Sequence, residues 1–258
     1  MIEITASALT DKGLKREKNE DRFLIRTGQV FQKSLGLFVV ADGIGGLEYG
    51  ELASGRVVES FDAWWKYRVP ILMEHKSVDE GNILQYIKQD LEILLTDINE
   101  DIRMRTKELQ ISSGTTVLVL VLLDREYLFI NVGDSRLYKI GTFGLQMLSQ
   151  DHTLAYSRYK NGEINKRQWK NYKEKNPLTQ CIGISEEINP YIHSGMFYAN
   201  SRLFLCSDGV YGYAQDFKLT RILQRTSRSN TQQVLESLKD EIYKNGAGDN
   251  LTGILVVC

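Results

Sequence analysis

Four times in this chain an aspartate sits against a glycine at the edge of a short β-type run, and that repetition limits the fold more than any other feature. The stretches are Leu37-Phe38-Val39-Val40-Ala41-Asp42-Gly43, Phe129-Ile130-Asn131-Val132-Gly133-Asp134, Leu203-Phe204-Leu205-Cys206-Ser207-Asp208-Gly209, and Gly248-Asp249-Asn250 ahead of Leu251. A fifth acidic cluster, Asn19-Glu20-Asp21, precedes another such run. A single Asp-Gly pair is a turn signal, because both residues tolerate positive φ. The set does not read that way. A two-residue hairpin turn leads straight into a second strand, whereas Asp42-Gly43 leads into a glycine-rich helix start and Asp208-Gly209 into Val-Tyr-Gly-Tyr, with no alternation to follow. Carboxylates at the ends of neighbouring strands converge on one edge of a sheet.

Runs rich in β-branched and aromatic residues predict strands over 22–27, 36–41, 115–123, 127–132, 136–140, 202–206 and 251–257, with Asp124-Arg125-Glu126 as a tight connection. Apolar residues at three- and four-residue steps predict helices over 50–67, 82–107 and 231–245, the last stopped by Gly246. Strand pairs with helices grouped between them give an α+β chain dominated by antiparallel sheets. With three prolines, no linker and no internal repeat in 258 residues, one domain over 1–258 is the simpler reading.

Charge and cysteine content narrow the function. A net charge of −1 gives no drive toward nucleic acid or an anionic membrane. Three scattered cysteines without C-x-x-C spacing argue against disulfides and zinc. The longest apolar run, 117–123, is far short of the about 20 residues a membrane helix needs. No signal-peptide pattern opens the chain. The expected location is the cytoplasm, with no membrane and no nucleic-acid partner.

Gathering so many carboxylates is strongly unfavourable unless positive charge neutralises them. The candidate ligands are all oxygens, since His75, His152 and His193 lie elsewhere in the sequence, and oxygen donors select hard ions such as Mg²⁺ or Mn²⁺. A glycine after a ligand aspartate also lets a backbone carbonyl reach an ion. The set therefore reads as a metal site for a pair of ions. Arg16, four residues before Glu20, then reads as a phosphate clamp rather than part of a solvated loop, because a guanidinium matches a pair of phosphate oxygens.

These segments resemble the metal-dependent protein phosphatases of the 2C (PPM) family, in its bacterial form. The matching stretches run in order: Asp11-Lys12-Gly13 through Arg16 to Asn19-Glu20-Asp21; Val40-Ala41-Asp42-Gly43-Ile44-Gly45-Gly46 with Gly50-Glu51-Leu52-Ala53-Ser54; Ser113-Gly114-Thr115-Thr116; Asn131-Val132-Gly133-Asp134-Ser135-Arg136-Leu137-Tyr138; Asp151-His152-Thr153-Leu154; Leu178-Thr179-Gln180-Cys181-Ile182-Gly183; Cys206-Ser207-Asp208-Gly209; and Gly248-Asp249-Asn250-Leu251-Thr252. Each is weak alone, and eight in order and spacing are specific.

The resemblance implies a β-sandwich of two mostly antiparallel sheets flanked by helix pairs, with the metal site at one end and a flap over residues 151–182. It implies that Asp42 bridges two ions, Gly43 offers its carbonyl, and Asp208 and Asp249 complete the second ion. Asp134 shares a weaker third ion with Asp208, Glu20 and Asp21 orient waters, and Arg16 binds the substrate phosphate. The implied activity is hydrolysis of phosphoserine and phosphothreonine in proteins by a metal-activated hydroxide, opposing a Ser/Thr kinase, in a monomer. Ile44 stands where some members carry a proton-donating histidine, so a metal-bound water takes that role.

Competing readings are weaker. Gly43-Ile44-Gly45-Gly46-Leu47-Glu48 nearly matches a dinucleotide fingerprint but ends on Glu48, not glycine. A non-catalytic phosphoprotein-binding relative of the same fold is disfavoured because Asp42, Asp208 and Asp249 are all present. Cys206 reads as a core thiol. Between Arg158 and Lys175, seven basic residues against Glu163 and Glu174 give +5, which predicts a flap that attracts phosphoproteins.

Overall fold

A computed structural model of the chain describes residues 2–30, 33–44, 49–74, 83–172 and 176–258. Among these the strands are β1 (Thr5–Asp11), β2 (Arg22–Val30), β3 (Lys33–Ala41), β4 (Val117–Leu123), β5 (Glu126–Val132), β6 (Arg136–Gly141), β7 (Gly144–Met147), β8 (Tyr191–Met196), β9 (Arg202–Cys206) and β10 (Leu251–Val257). They form two five-stranded sheets, ordered β1-β10-β9-β6-β7 and β2-β3-β4-β5-β8, and every pairing is antiparallel. The helices are α1 (Gly50–Ala63), α2 (Val69–Glu74), α3 (Ile83–Leu109), α4 (Leu154–Lys160), α5 (Lys166–Lys170), α6 (Asp208–Tyr211), α7 (Asp216–Leu223) and α8 (Thr231–Lys244).

Strand alternation sorts the core into three layers. Phe38, Val40, Leu118, Leu120 and Phe129 of one sheet meet Leu137, Leu203, Leu205, Ile254 and Val256 of the other. On the far side of the first sheet, Leu37, Val39, Val119 and Val121 pack on Val57 and Phe61 of α1 and on Ile87, Leu91 and Leu95 of α3. On the far side of the second, Tyr138, Phe204, Leu251 and Leu255 meet Leu219 and Leu223 of α7 and Val234, Leu238 and Ile242 of α8. The result is helix, sheet, sheet, helix. Strands buried on both faces read as continuous apolar runs, which is why β4 is Val-Leu-Val-Leu-Val-Leu-Leu. Truncating a fully buried ring such as Phe129 to alanine should cost about 3–5 kcal/mol.

The structure departs from the expected elements in identifiable ways. Strands β1, β7 and β8 were not expected, and all three are sheet edges. Edge strands lack the doubly buried apolar run; β8, for example, is half-buried or exposed throughout. The ladder expected from residue 115 begins at Val117, because Thr115 makes only isolated bridges to Gly43 and Ile182. The helix expected over 50–67 stops as α-helix at Ala63 and widens into a π-turn over Trp64–Arg68 before α2. Pro70, which has no N–H to extend the ladder, follows as the second residue of α2. The expected start at Asn82 lies outside the described residues, as do Gly45, Gly46, Leu47, Glu48, Lys173, Glu174 and Lys175.

Register places the acidic junctions together. Arg22 pairs Ala41, Val117 pairs Val132, Asp11 pairs Leu251, and Arg136 pairs Cys206. The residues just beyond these pairs, including Asp21, Asp42, Asp134, Asp208 and Asp249, therefore leave both sheets at one end of the sandwich.

Candidate metal centre

Asp42 is pinned through its backbone before its side chain does anything. Its N–H donates to Thr116 Oγ1 at 3.1 Å, and its carbonyl accepts from Thr116 N–H at 2.8 Å and Thr115 Oγ1 at 2.9 Å. The carboxylate then lies within hydrogen-bonding reach of those of Asp21 and Asp208. Burial pushes the Asp42 carboxyl well above its ordinary range, and the charges on Asp21, Asp208, Asp134 and Asp249 push the same way. Burial, helped by Asp249 and Asp21, raises Asp208 to about 6. Burial raises Asp21 to about 6 as well, against the hydroxyls of Thr252 and Ser207. Asp134 rises to about 8 through burial, then Asp208 and Asp151.

These groups crowd one another, and the two nearby arginines answer them only in part: Arg16 draws Asp208 down and Arg136 draws Asp134 down, each by less than burial pushes it up. Asp21 Oδ2 accepts from Ser207 Oγ at 2.9 Å, but its Oδ1 is buried with no donor. Among the described residues no three Asp, Glu, His or Cys side chains stand arranged as a finished ion cage. Asp42 faces its like-charged neighbours, and Asp249 is turned onto Arg16. The donor set is nonetheless all oxygen, negatively charged and partly orphaned, which fits a hard divalent cation. Glu20 sits at the rim, raised by burial and then by Glu51, with the Gly50 N–H working in the opposite direction.

The two glycines that follow aspartates serve close packing rather than turns, since neither Gly43 nor Gly209 has positive φ. A Cβ on Gly43 would fall 2.7 Å from the Glu20 carbonyl oxygen, and one on Gly209 would fall 1.8 Å from that of Asn250.

Asn250 was given no role by the sequence, yet it fastens the loop that carries Arg16. Its Oδ1 accepts from Glu20 N–H at 2.9 Å, and its Nδ2 donates to the carbonyls of Lys12 at 3.0 Å and Lys18 at 2.8 Å. Arg16 then grips Asp249 in a two-pronged pair, Nη2 to Oδ2 at 2.9 Å and Nε to Oδ1 at 2.8 Å. Sequence reasoning gave Arg16 a phosphate and Asp249 a cation; the structure pairs them with each other.

Beside Asp134 lies a second group that sequence reasoning quoted without assigning a role. Arg136 donates from Nη2 to Asp151 Oδ2 at 2.6 Å and from Nε to Oδ1 at 3.0 Å. Its guanidinium lies 3.6 Å from the centre of the Tyr211 ring and 5.4 Å from that of Trp169. Tyr211 donates its hydroxyl to the Asp134 carbonyl at 3.1 Å and to Oδ2 at 3.3 Å. The segment that begins at Asp151 starts from this group. His152 accepts from Gly133 N–H at 3.2 Å and returns a bond to the Gly133 carbonyl at 2.8 Å, Thr153 caps α4, and Asn165 with Gln168 forms a capping box on α5. The visible signal was an arginine two residues from an aspartate at a strand start, but its partner is known only once the chain is folded.

Comparison with known proteins fits this geometry. Residues 15–252 match the sequence profile of the protein phosphatase 2C family. The chain belongs to that family. It is 27% identical over 251 residues to the serine/threonine phosphatase stp of Listeria monocytogenes serotype 4b, covering 96% of this chain and 93% of that protein. Its fold superposes on the serine/threonine phosphatase Stp1 of Staphylococcus aureus with a TM-score of 0.83 at 24% identity, over 100% of this chain and 95% of that one. It also superposes on the catalytic domain of the phosphatase PstP, solved in complex with two manganese ions, with a TM-score of 0.76 at 22% identity over 98% and 97% of the two chains.

As a 2C-family phosphatase, the chain is a metal-dependent hydrolase acting on phosphoserine and phosphothreonine in proteins. In this phosphatase Ile44 donates its N–H to the Gly114 carbonyl at 2.9 Å, and a Cβ on Gly114 would lie 3.0 Å from its Cδ1. On α5, Lys166, Arg167 and Lys170 are exposed, and Lys170 pairs with Asp216. Among the described residues no helix is long and apolar enough to cross a membrane.

Proposed function

We propose that this phosphatase works with two divalent cations, Mg²⁺ or Mn²⁺, held by Asp42, the Gly43 carbonyl, Asp208 and Asp249, with a weaker third between Asp134 and Asp208. The observation that carries this is the shared burial of Asp21, Asp42 and Asp208: burial pushes all three carboxyls up, Asp21 and Asp208 push Asp42 further, and the positive charge of Arg16 offsets Asp208 only in part. Bound cations would supply charge neutralisation and a nucleophile drawn from water near neutral pH.

The chain's own residues do the rest. Glu20 and Asp21 hydrogen-bond and orient waters at the rim and floor of the site. Arg16, carried on the loop that Asn250 fastens, would turn its planar fork from Asp249 to the phosphoryl oxygens once a cation holds Asp249, and take up charge that develops on them. Ile44 offers no proton to the leaving group and instead keeps the edge of the site dry. The whole chain acts as one domain with residues 151–182 as its flap, in a cytoplasmic monomer that opposes a Ser/Thr kinase.

The test is release of phosphate from a phosphothreonine peptide with Mn²⁺ and with EDTA. Turnover with Mn²⁺ that EDTA abolishes is expected, and turnover equal in both would overturn the reading.

A further inference from the structure

We propose that Arg136, packed on Tyr211 and near Trp169, is a positioning residue that couples the seat of the flap to Asp134 and Asp208. The proposal rests on the reading of those two aspartates as cation ligands.

Four elements meet at this guanidinium. It stands at the start of β6, two residues after Asp134. Tyr211 ends α6, the same short helix that opens with Asp208. Trp169 is buried on α5, the second helix of the flap. There it packs on Tyr159 at 5.3 Å with near-parallel rings and on Tyr156 edge-on at 5.2 Å, both from α4. Asp151, at the flap's first residue, takes both prongs of the guanidinium.

A planar cation clamped in two directions by one carboxylate cannot rotate, so a ring lying 3.6 Å from it is fixed in plane and in height. That ring is Tyr211, and its hydroxyl is thereby aimed at Asp134, where it meets both the carbonyl and the carboxylate. Groups that orient a metal ligand in this way set its affinity, and their loss typically weakens binding 10–100-fold. Trp169 touches none of the proposed ligands. Its ring, 5.4 Å from the guanidinium, is the flap's own hold on the arrangement, so a displaced flap would release Arg136, then Tyr211, then Asp134. A packing role alone would stabilise the fold without reaching the cation.

The experiment is a calorimetric titration of Mn²⁺ into EDTA-stripped and dialysed protein, with melting temperature recorded in EDTA for each variant. Asp134→Asn should remove the weakest Mn²⁺ site. Tyr211→Phe, which keeps the ring and removes the hydroxyl, should weaken that same site about tenfold. Trp169→Leu should shift it in the same direction, and Trp169→Phe, which restores a ring, should recover most of the loss. If Asp134→Asn binds Mn²⁺ as wild type does, the ligand reading fails and the coupling with it. If Asp134→Asn loses the site while Tyr211→Phe and Trp169→Leu match wild type, the ligand reading stands and the coupling is overturned, even if those variants melt lower.

Discussion

Two groups of buried acids share one end of this sandwich and are treated in opposite ways. Asp151 is 2% exposed and is answered in full by the fork of Arg136. Asp21, Asp42 and Asp208 are answered by hydroxyls, backbone and one another, and burial pushes each carboxyl up, with Asp249 adding to all three and Asp21 and Asp208 adding to Asp42. The first arrangement is complete within the chain. The second is, on the proposed reading, completed by a cation from outside, and that difference would separate the scaffold of the site from the site itself.

The comparison breaks most sharply if a single carboxylate is neutralised. Asp42→Asn or Asp208→Asn should reduce Mn²⁺-dependent turnover to background while circular dichroism and solubility stay as in wild type. Substantial residual activity at saturating Mn²⁺ would remove either residue from the ligand set.

On the compensated side the largest expected loss is of fold, over and above any change at Asp134. Arg136→Leu leaves Asp151 buried and unpaired, which should cost about 3–5 kcal/mol. At about 2–4 °C per kcal/mol for a chain of this size, the melting temperature should fall by roughly 10 °C. A variant that melts within a degree or two of wild type would show that Asp151 finds another partner.

A pH series in EDTA sharpens the contrast. The folded-state carboxyls of Asp21 and Asp208, at about 6, and of Asp134, at about 8, lie above the ordinary value of 3.8. A raised folded-state value contributes stability that is fully present below the unfolded value and lost as pH rises through the folded one. The melting temperature in EDTA should therefore fall between about pH 4 and pH 8, and fall less in Asp42→Asn, which is spared one of the charges. Parallel curves would mean that the carboxylates do not share a site.

How much of this was legible in the sequence depended on burial and on distance along the chain. The central strands announced themselves because both faces of β3, β4 and β10 are covered, and the edges β1, β7 and β8 did not because they are partly wet. Asp42, Asp208 and Asp249 were visible as acids at strand ends. The work of Asn250 was not, since its partners stand 230 to 238 residues earlier. Nor was the pairing of Arg136 with Asp151, or of Arg16 with Asp249, because a fork finds its carboxylate only in the folded chain.

Smaller effects follow at the rim. Arg16→Ala should raise KM for a phosphopeptide by about tenfold, as loss of a charge-assisted hydrogen bond implies, with a lesser change in kcat. Equal KM values would deny Arg16 its clamp. Reversing Lys166 and Arg167 to glutamate should lower kcat/KM a few-fold on a phosphoprotein, more at low salt than at high, because exposed charges act over a screening length of about 8 Å at physiological ionic strength. Activity on p-nitrophenyl phosphate should barely change. Equal losses on both substrates would assign the flap a structural part only.

The most direct measurement is the melting temperature of wild type and Asp42→Asn, each in EDTA and in excess Mn²⁺. A ligand at a hundred times its Kd stabilises the state it binds by about 2.7 kcal/mol. Wild type should therefore gain roughly 5–10 °C with Mn²⁺, and Asp42→Asn little or nothing. A wild-type melting temperature unmoved by Mn²⁺ would contradict the claim that these crowded carboxylates are a shared cation site.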